Sequence, residues 1–131
     1  MKNKILITGG TGFLGSALTK RLVKKGHHVV VLDNNSRGSL SKLNEIIDNI
    51  EYIEGDIRNI EIVKKSMSGC SAIFHLAFIN GTKFFYEKPE LVLDVGVNGA
   101  INSITSAIEH QVKTFILASS SEVYHQPDNI P

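Results

Sequence analysis

The sequence predicts an α/β domain in which a doubly wound parallel sheet carries helices on both faces. Three observations lead there. Short β-branched runs alternate with longer helical periods along the chain. A glycine-rich turn, Thr8-Gly9-Gly10-Thr11-Gly12-Phe13-Leu14-Gly15, joins the first strand to the first helix. An acid, Asp33, closes the second strand about 20 residues beyond that turn.

Taken in order, Lys4–Thr8 is short and apolar, as a strand buried on both faces should be. A helix follows from about Phe13 to Lys25, with Phe13, Leu14, Ala17, Leu18 and Leu22 at helical spacing and Gly26 as its C-cap. His28–Asp33, Glu51–Glu54, Ala72–Leu76 and Lys113–Ala118 read as the remaining strands. A short helix is expected over Ile60–Met67. A long one starts at Pro89, a favoured first-turn residue, and runs to about Glu109. Val97, Ile101, Ile104 and Ile108 mark its expected buried stripe. Asn34–Asn44 and Ile79–Lys88 are the least regular stretches. Ser119–Pro131 has turn-like sequence where a doubly wound sheet usually continues with another helix and strand, so the fold is expected to be incomplete at its C-terminal end.

Composition narrows the function classes. At 131 residues the chain suits one domain, taken as 1–131. With 14 basic and 13 acidic residues well mixed, it lacks the basic stripe of a nucleic-acid binder. Cys70 is the only cysteine, which excludes an internal disulfide and a multi-cysteine zinc site and suits a reducing compartment. Ile5–Ile7 is too short for a signal-peptide core, and no apolar run reads as a membrane span. A soluble, cytoplasmic protein without a membrane partner is expected.

The glycine turn carries the chemistry. Gly9, Gly12 and Gly15, with Thr11 between them, let backbone N–H groups approach a pyrophosphate at a helix N-terminus. Asp33 can accept hydrogen bonds from adenosine ribose hydroxyls and would repel a 2′-phosphate, which favours NAD over NADP. Arg37 pulls the other way, because a guanidinium can hold a phosphate. The five histidines show no metal-ligand spacing, and no metal is expected. His75 reads as a hydrogen-bonded core residue and Cys70 as a packed small one. Lys83-Phe84-Phe85-Tyr86 reads equally as a lid, a partner surface or a cover for the sheet edge.

The ordered motifs TGGTGFLG, LDNNSRG, GDIR, HLA and ASSSEVY resemble those of extended short-chain dehydrogenases/reductases, closest to the NAD-dependent epimerase/dehydratase enzymes of nucleotide sugars. The likeness runs over essentially the whole chain and implies a Rossmann-type fold. It places Phe13 and Leu14 at the pyrophosphate, and Asp33, Asn34, Asn35, Ser36, Arg37 and Gly38 around the adenosine ribose. Asp56 and Ile57 would flank the adenine, with Asp56 accepting from its amino group. Leu76, Ala77 and Phe78 would line the path to the nicotinamide ribose. Ser120 aligns with the catalytic Ser/Thr that hydrogen-bonds the sugar oxygen destined to become a carbonyl. Glu122 is the second catalytic candidate. Ser121 stands where the family's dehydratases carry the Asp of an Asp-Glu pair, which turns the expectation from dehydration toward decarboxylation or epimerisation.

The resemblance leaves a decarboxylase, a dehydratase or a non-catalytic NAD(P)-sensing module as alternatives. It implies a nucleotide-sugar substrate and pairing of two copies through the long helix. Three departures stand out. The family's Tyr-x-x-x-Lys is absent, since Tyr52, Tyr86 and Tyr124 are followed four positions later by Asp56, Glu90 and Asp128. These 131 residues alone are therefore expected to bind cofactor without turnover. Gly96 replaces an Asn on the long helix, and His125 replaces a Gly after Val-Tyr.

Overall fold

Alternating side chains along short buried strands need helices on both sides, and the chain supplies them. A computed structural model describes residues 3–120 and 123. Strands β1 (Lys4–Thr8), β2 (His28–Asp33), β3 (Ile50–Glu54), β4 (Ala72–His75) and β5 (Thr114–Leu117) form one parallel sheet in the order β3-β2-β1-β4-β5. In the central register Ile7 lies opposite Val31 on one side and Phe74 on the other. The period of two sorts the β1 and β2 side chains between two cores. Leu6, Val30 and Leu32 face α2 (Ile60–Met67), which contributes Val63 and Met67. Ile5, Ile7, Val29 and Val31 face the opposite way, against Leu22 of α1 (Phe13–Lys24) and Leu43 of a 3₁₀ helix over Leu40–Asn49.

Asn59 caps α2, its side-chain oxygen accepting from the Glu61 and Ile62 N–H groups at 3.0 and 3.3 Å. The stretch read as irregular before Pro89 holds a further helix, α3 (Thr82–Glu87). Its Phe84 packs on the core and lies under the Arg37 guanidinium, 4.8 Å from ring centroid to charge. Tyr86 points to solvent.

Four sequence expectations need correction. The long helix is interrupted: α4 (Pro89–Leu93) passes through a π-helical turn (Asp94–Asn98) into α5 (Gly99–Glu109). Its buried face is not the predicted stripe, because Val97, Ile101, Ile104 and Ile108 are exposed, Ile108 by 73%. Instead Gly99, Ser103, Ser106 and Ala107 face inward. The helix comes so close to the β3–α2 connection that a Cβ on Gly99 would collide with the Ile57 side chain, and only small residues fit there.

The same logic corrects α1, where Phe13, Leu14 and Ala17 are exposed while Gly15, Ser16, Thr19 and Leu22 are buried. Finally, Pro89–Glu109 does have the length and apolarity of a membrane span, at 21 residues and a mean hydropathy of 1.3. It is nevertheless an element of this domain. Asn102 donates from α5 to the carbonyls of Ile57 and Arg58 at 3.0 and 2.9 Å.

Candidate functional site

In this strand order the connection after β1 leads to one side of the sheet and the connection after β3 crosses to the other. The ends of β1 and β4 therefore part at a topological switch point, where open α/β sheets hold ligands. A cavity of about 220 Å³ opens there. Gly9 and Gly12 reach it from the turn after β1. Asp33, Asn34, Ser36, Arg37 and Gly38 reach it from the end of β2. Asp56 and Ile57 line it after β3, and Leu76, Ala77 and Phe78 after β4. Four segments far apart in sequence thus meet at one cavity.

The remaining predicted residues stand around this wall. Thr11 is fully buried and Asn35 backs the β2 exit, its amide donating to the Tyr52 hydroxyl at 2.6 Å. Gly15 is buried against the turn, whereas Phe13 and Leu14 project outward at the start of α1. Ser120 is exposed, two residues beyond Ala118, which lines a second cavity of about 210 Å³. Glu122 lies outside the described residues.

Two glycines are required by the geometry. Gly9 holds φ +73°, and a Cβ there would lie 2.8 Å from the Ala77 nitrogen. A Cβ on Gly15 would overlap the Gly9 carbonyl oxygen, so α1 could not begin where it does. The turn brings the Thr11 N–H onto Asp33 Oδ2 at 2.9 Å, while the Asn35 N–H donates to Oδ1 at 2.8 Å. Each carboxylate oxygen so held keeps one lone pair for a further donor. The buried Thr11 hydroxyl has no hydrogen-bond partner among the described residues.

Asp56 is held differently. Arg58 donates to it from its backbone N–H, Nε and Nη2 at 2.9, 3.0 and 2.8 Å, and Asn34 donates from Nδ2 at 2.9 Å. The Arg58 hydrogen bonds, followed by those of its backbone and of Asn34, outweigh burial and lower the Asp56 pKa to about 2. Arg58 also reaches Asp94 of the π-helical turn at 3.0 Å, tying that turn to the β3 exit. An adenine amino group can be accepted by Asp56 only if one of these donors moves aside.

His75 is the hydrogen-bonded core residue the sequence suggested, but sequence reasoning missed its partner. Thr8 Oγ1 lies 2.9 Å from His75 Nδ1 and accepts from the Leu76 and Ala77 N–H groups at 3.2 and 3.3 Å. With both lone pairs engaged, Thr8 gives its proton to Nδ1, which fixes the imidazole as the Nε2–H tautomer. Burial lowers the His75 pKa to about 4, so the ring is neutral at physiological pH. This pair anchors the cavity wall after β4. The signal was the β1–β4 register, which sets Thr8 opposite His75.

Comparison with known proteins places the chain. A model of the NAD dependent epimerase/dehydratase family matches residues 5–131. The chain belongs to this family. A UDP-N-acetyl-alpha-D-glucosaminuronate decarboxylase of Bacillus cytotoxicus is 37% identical over 95% of this chain and 38% of its own length. A bifunctional UDP-glucose 4-epimerase and UDP-xylose 4-epimerase of Pisum sativum is 31% identical over 98% of this chain and 39% of its own. The crystal structure of UDP-glucose 4-epimerase from Brucella ovis in complex with NAD superposes with a TM-score of 0.88 at 27% identity, over 98% of this chain and 39% of that one. The chain spans about two-fifths of the length of these family members.

Proposed function

We propose that residues 1–131 are the NAD-binding part of a nucleotide-sugar epimerase that acts by transient oxidation of a sugar hydroxyl. The observation that carries this reading is the clamped Asp33 carboxylate, held by the glycine turn and facing the switch-point cavity. It supports a ribose diol at that position, with two oxygens each able to accept one more hydrogen bond. The cradle left by Gly9 and Gly15 supports a pyrophosphate, and the first N–H groups of α1, at Phe13 and Leu14, lack intrahelical partners. These features fit NAD, whose nicotinamide ring accepts a hydride and returns it.

In this proposal Leu76, Ala77 and Phe78 keep water from the reactive end. The Ser120 hydroxyl holds the sugar oxygen, and Glu122 is assigned the second catalytic role. The proton acceptor for the sugar hydroxyl is assigned to residues outside these 131, where we also place the sugar-binding part. The exposed Val97–Ile108 stripe is the surface we assign to pairing of two copies, checked by sedimentation of a Val97→Lys/Ile101→Lys variant.

The deciding experiment titrates the full-length gene product with NAD and NADP by calorimetry, then assays interconversion of UDP-sugars. NAD should bind at least tenfold more tightly than NADP, as expected for about 1.4 kcal/mol or more of like-charge repulsion. Equal affinities, or epimerisation unaffected by Ser120→Ala, would defeat the proposal.

A further inference from the structure

The two cavities share Leu76, Ala77 and Phe78, so these residues divide one from the other. Leu76 and Ala77 are fixed by their N–H bonds to Thr8. Phe78 follows, 47% exposed, bounded on one side by Gly96 in the π-helical turn. A Cβ at Gly96 would lie 2.7 Å from Phe78 Cε2, closer than real side chains approach. Any larger residue at 96 must therefore push the ring away, and loss of the ring would merge the two spaces. We infer that Phe78 and Gly96 are a size-matched pair that sets the passage between the cavities and thereby positions the reactive ring of the dinucleotide.

The inference rests on the dinucleotide reading above. The chemistry suits a flat heteroaromatic group: an aromatic face on one side, and small residues, Gly96 and Ala100, lining the far cavity. Phe78 acts here as a positioning residue, by shape alone. Gly9, Asp33 and Asp56, assigned above to the pyrophosphate and adenosine, line only the first cavity.

The test compares NAD with ADP-ribose, which lacks the nicotinamide ring, on the full-length gene product. Gly96→Asn should weaken NAD about tenfold while changing ADP-ribose less than about twofold, the scale expected for coupled neighbours. Adding Phe78→Ala to Gly96→Asn should recover most of the lost NAD affinity, and the emission of bound NADH should shift in the single variant and return in the double. Should Gly96→Asn fail to fold, Gly96→Ala carries the same comparison with a single added methyl. Equal weakening of both ligands, or a double variant no better than the single, would overturn the pairing. If the wild-type protein binds neither ligand, the dinucleotide reading fails first and this inference falls with it.

Discussion

Lowering the pH should destabilise this protein through one residue, His75. Its ring is buried at the end of β4, and burial holds its pKa at about 4 against the ordinary 6.5. The unfolded chain therefore binds a proton on His75 below pH 6.5 that the folded chain refuses until about pH 4. The stabilisation is complete above 6.5 and is lost as the pH falls from there toward 4. At about 1.4 kcal/mol per pH unit, the loss reaches about 2 kcal/mol at pH 5. That is a substantial share of the 5–15 kcal/mol typical of a domain. Urea unfolding at pH 8, 6.5 and 5 measures it directly. His75→Asn, which keeps a neutral acceptor near Nδ1 and cannot titrate, should start less stable at pH 8 yet lose about 2 kcal/mol less between pH 8 and 5. Parallel curves for the two proteins would refute the assignment. In the folded protein Nδ1 turns from acceptor to donor against the Thr8 hydroxyl only near pH 4, so NAD affinity should weaken there and not over the window in which stability falls.

Other perturbations probe the cleft. Gly15→Ala forces α1 away from the Gly9 carbonyl and should cost about 1–3 kcal/mol in urea unfolding while abolishing measurable NAD binding; a stable variant that still binds would contradict the close approach. Asp33→Ser leaves the Thr11 and Asn35 N–H groups without their carboxylate, and should weaken NAD about tenfold or more and narrow its preference over NADP. Unchanged titrations of both cofactors would sink that role. Arg58→Ala removes the main cause of the low Asp56 pKa, so the Asp56 carboxyl signal in NMR should titrate closer to 3.8 than to 2. An unmoved titration would mean that Asn34 and the backbone suffice.

The sheet was legible because a short β-branched run with no polar break has one stable environment, buried between two layers. β1, β2 and α2 carry the predicted bounds, and β3 to β5 differ from them by one residue or two at their ends. The glycine turn was legible because its spacing serves a backbone geometry that few other sequences need. The inward faces of α1 and α5 were not. Helical periodicity marks where large apolar residues recur, whereas these helices approach so closely that small residues must face in: Gly15 against the turn, Gly99 against Ile57. The π-helical turn then breaks the period that the prediction carried through Pro89–Glu109. Thr8 and His75 were read singly because their partnership depends on β1 lying beside β4, across 67 positions of sequence.

The two acids of the cleft are held differently, and under the proposed function that difference sets which end of the dinucleotide binds first. Asp33 accepts one backbone N–H on each oxygen, so the ribose hydroxyls would meet open lone pairs on a carboxylate already fixed in place. Asp56 has all four lone-pair positions filled, three of the donors coming from Arg58 and one of those from its backbone. The Asn34 amide is the single contact that can be exchanged without breaking the Arg58 fork and its tie to Asp94. Asn34 belongs to the same β2 exit as Asp33, so ribose binding acts on the very segment that must release Asp56. Under the proposed function, adenine recognition through Asp56 follows ribose capture, and the pyrophosphate and ribose contacts supply the initial affinity.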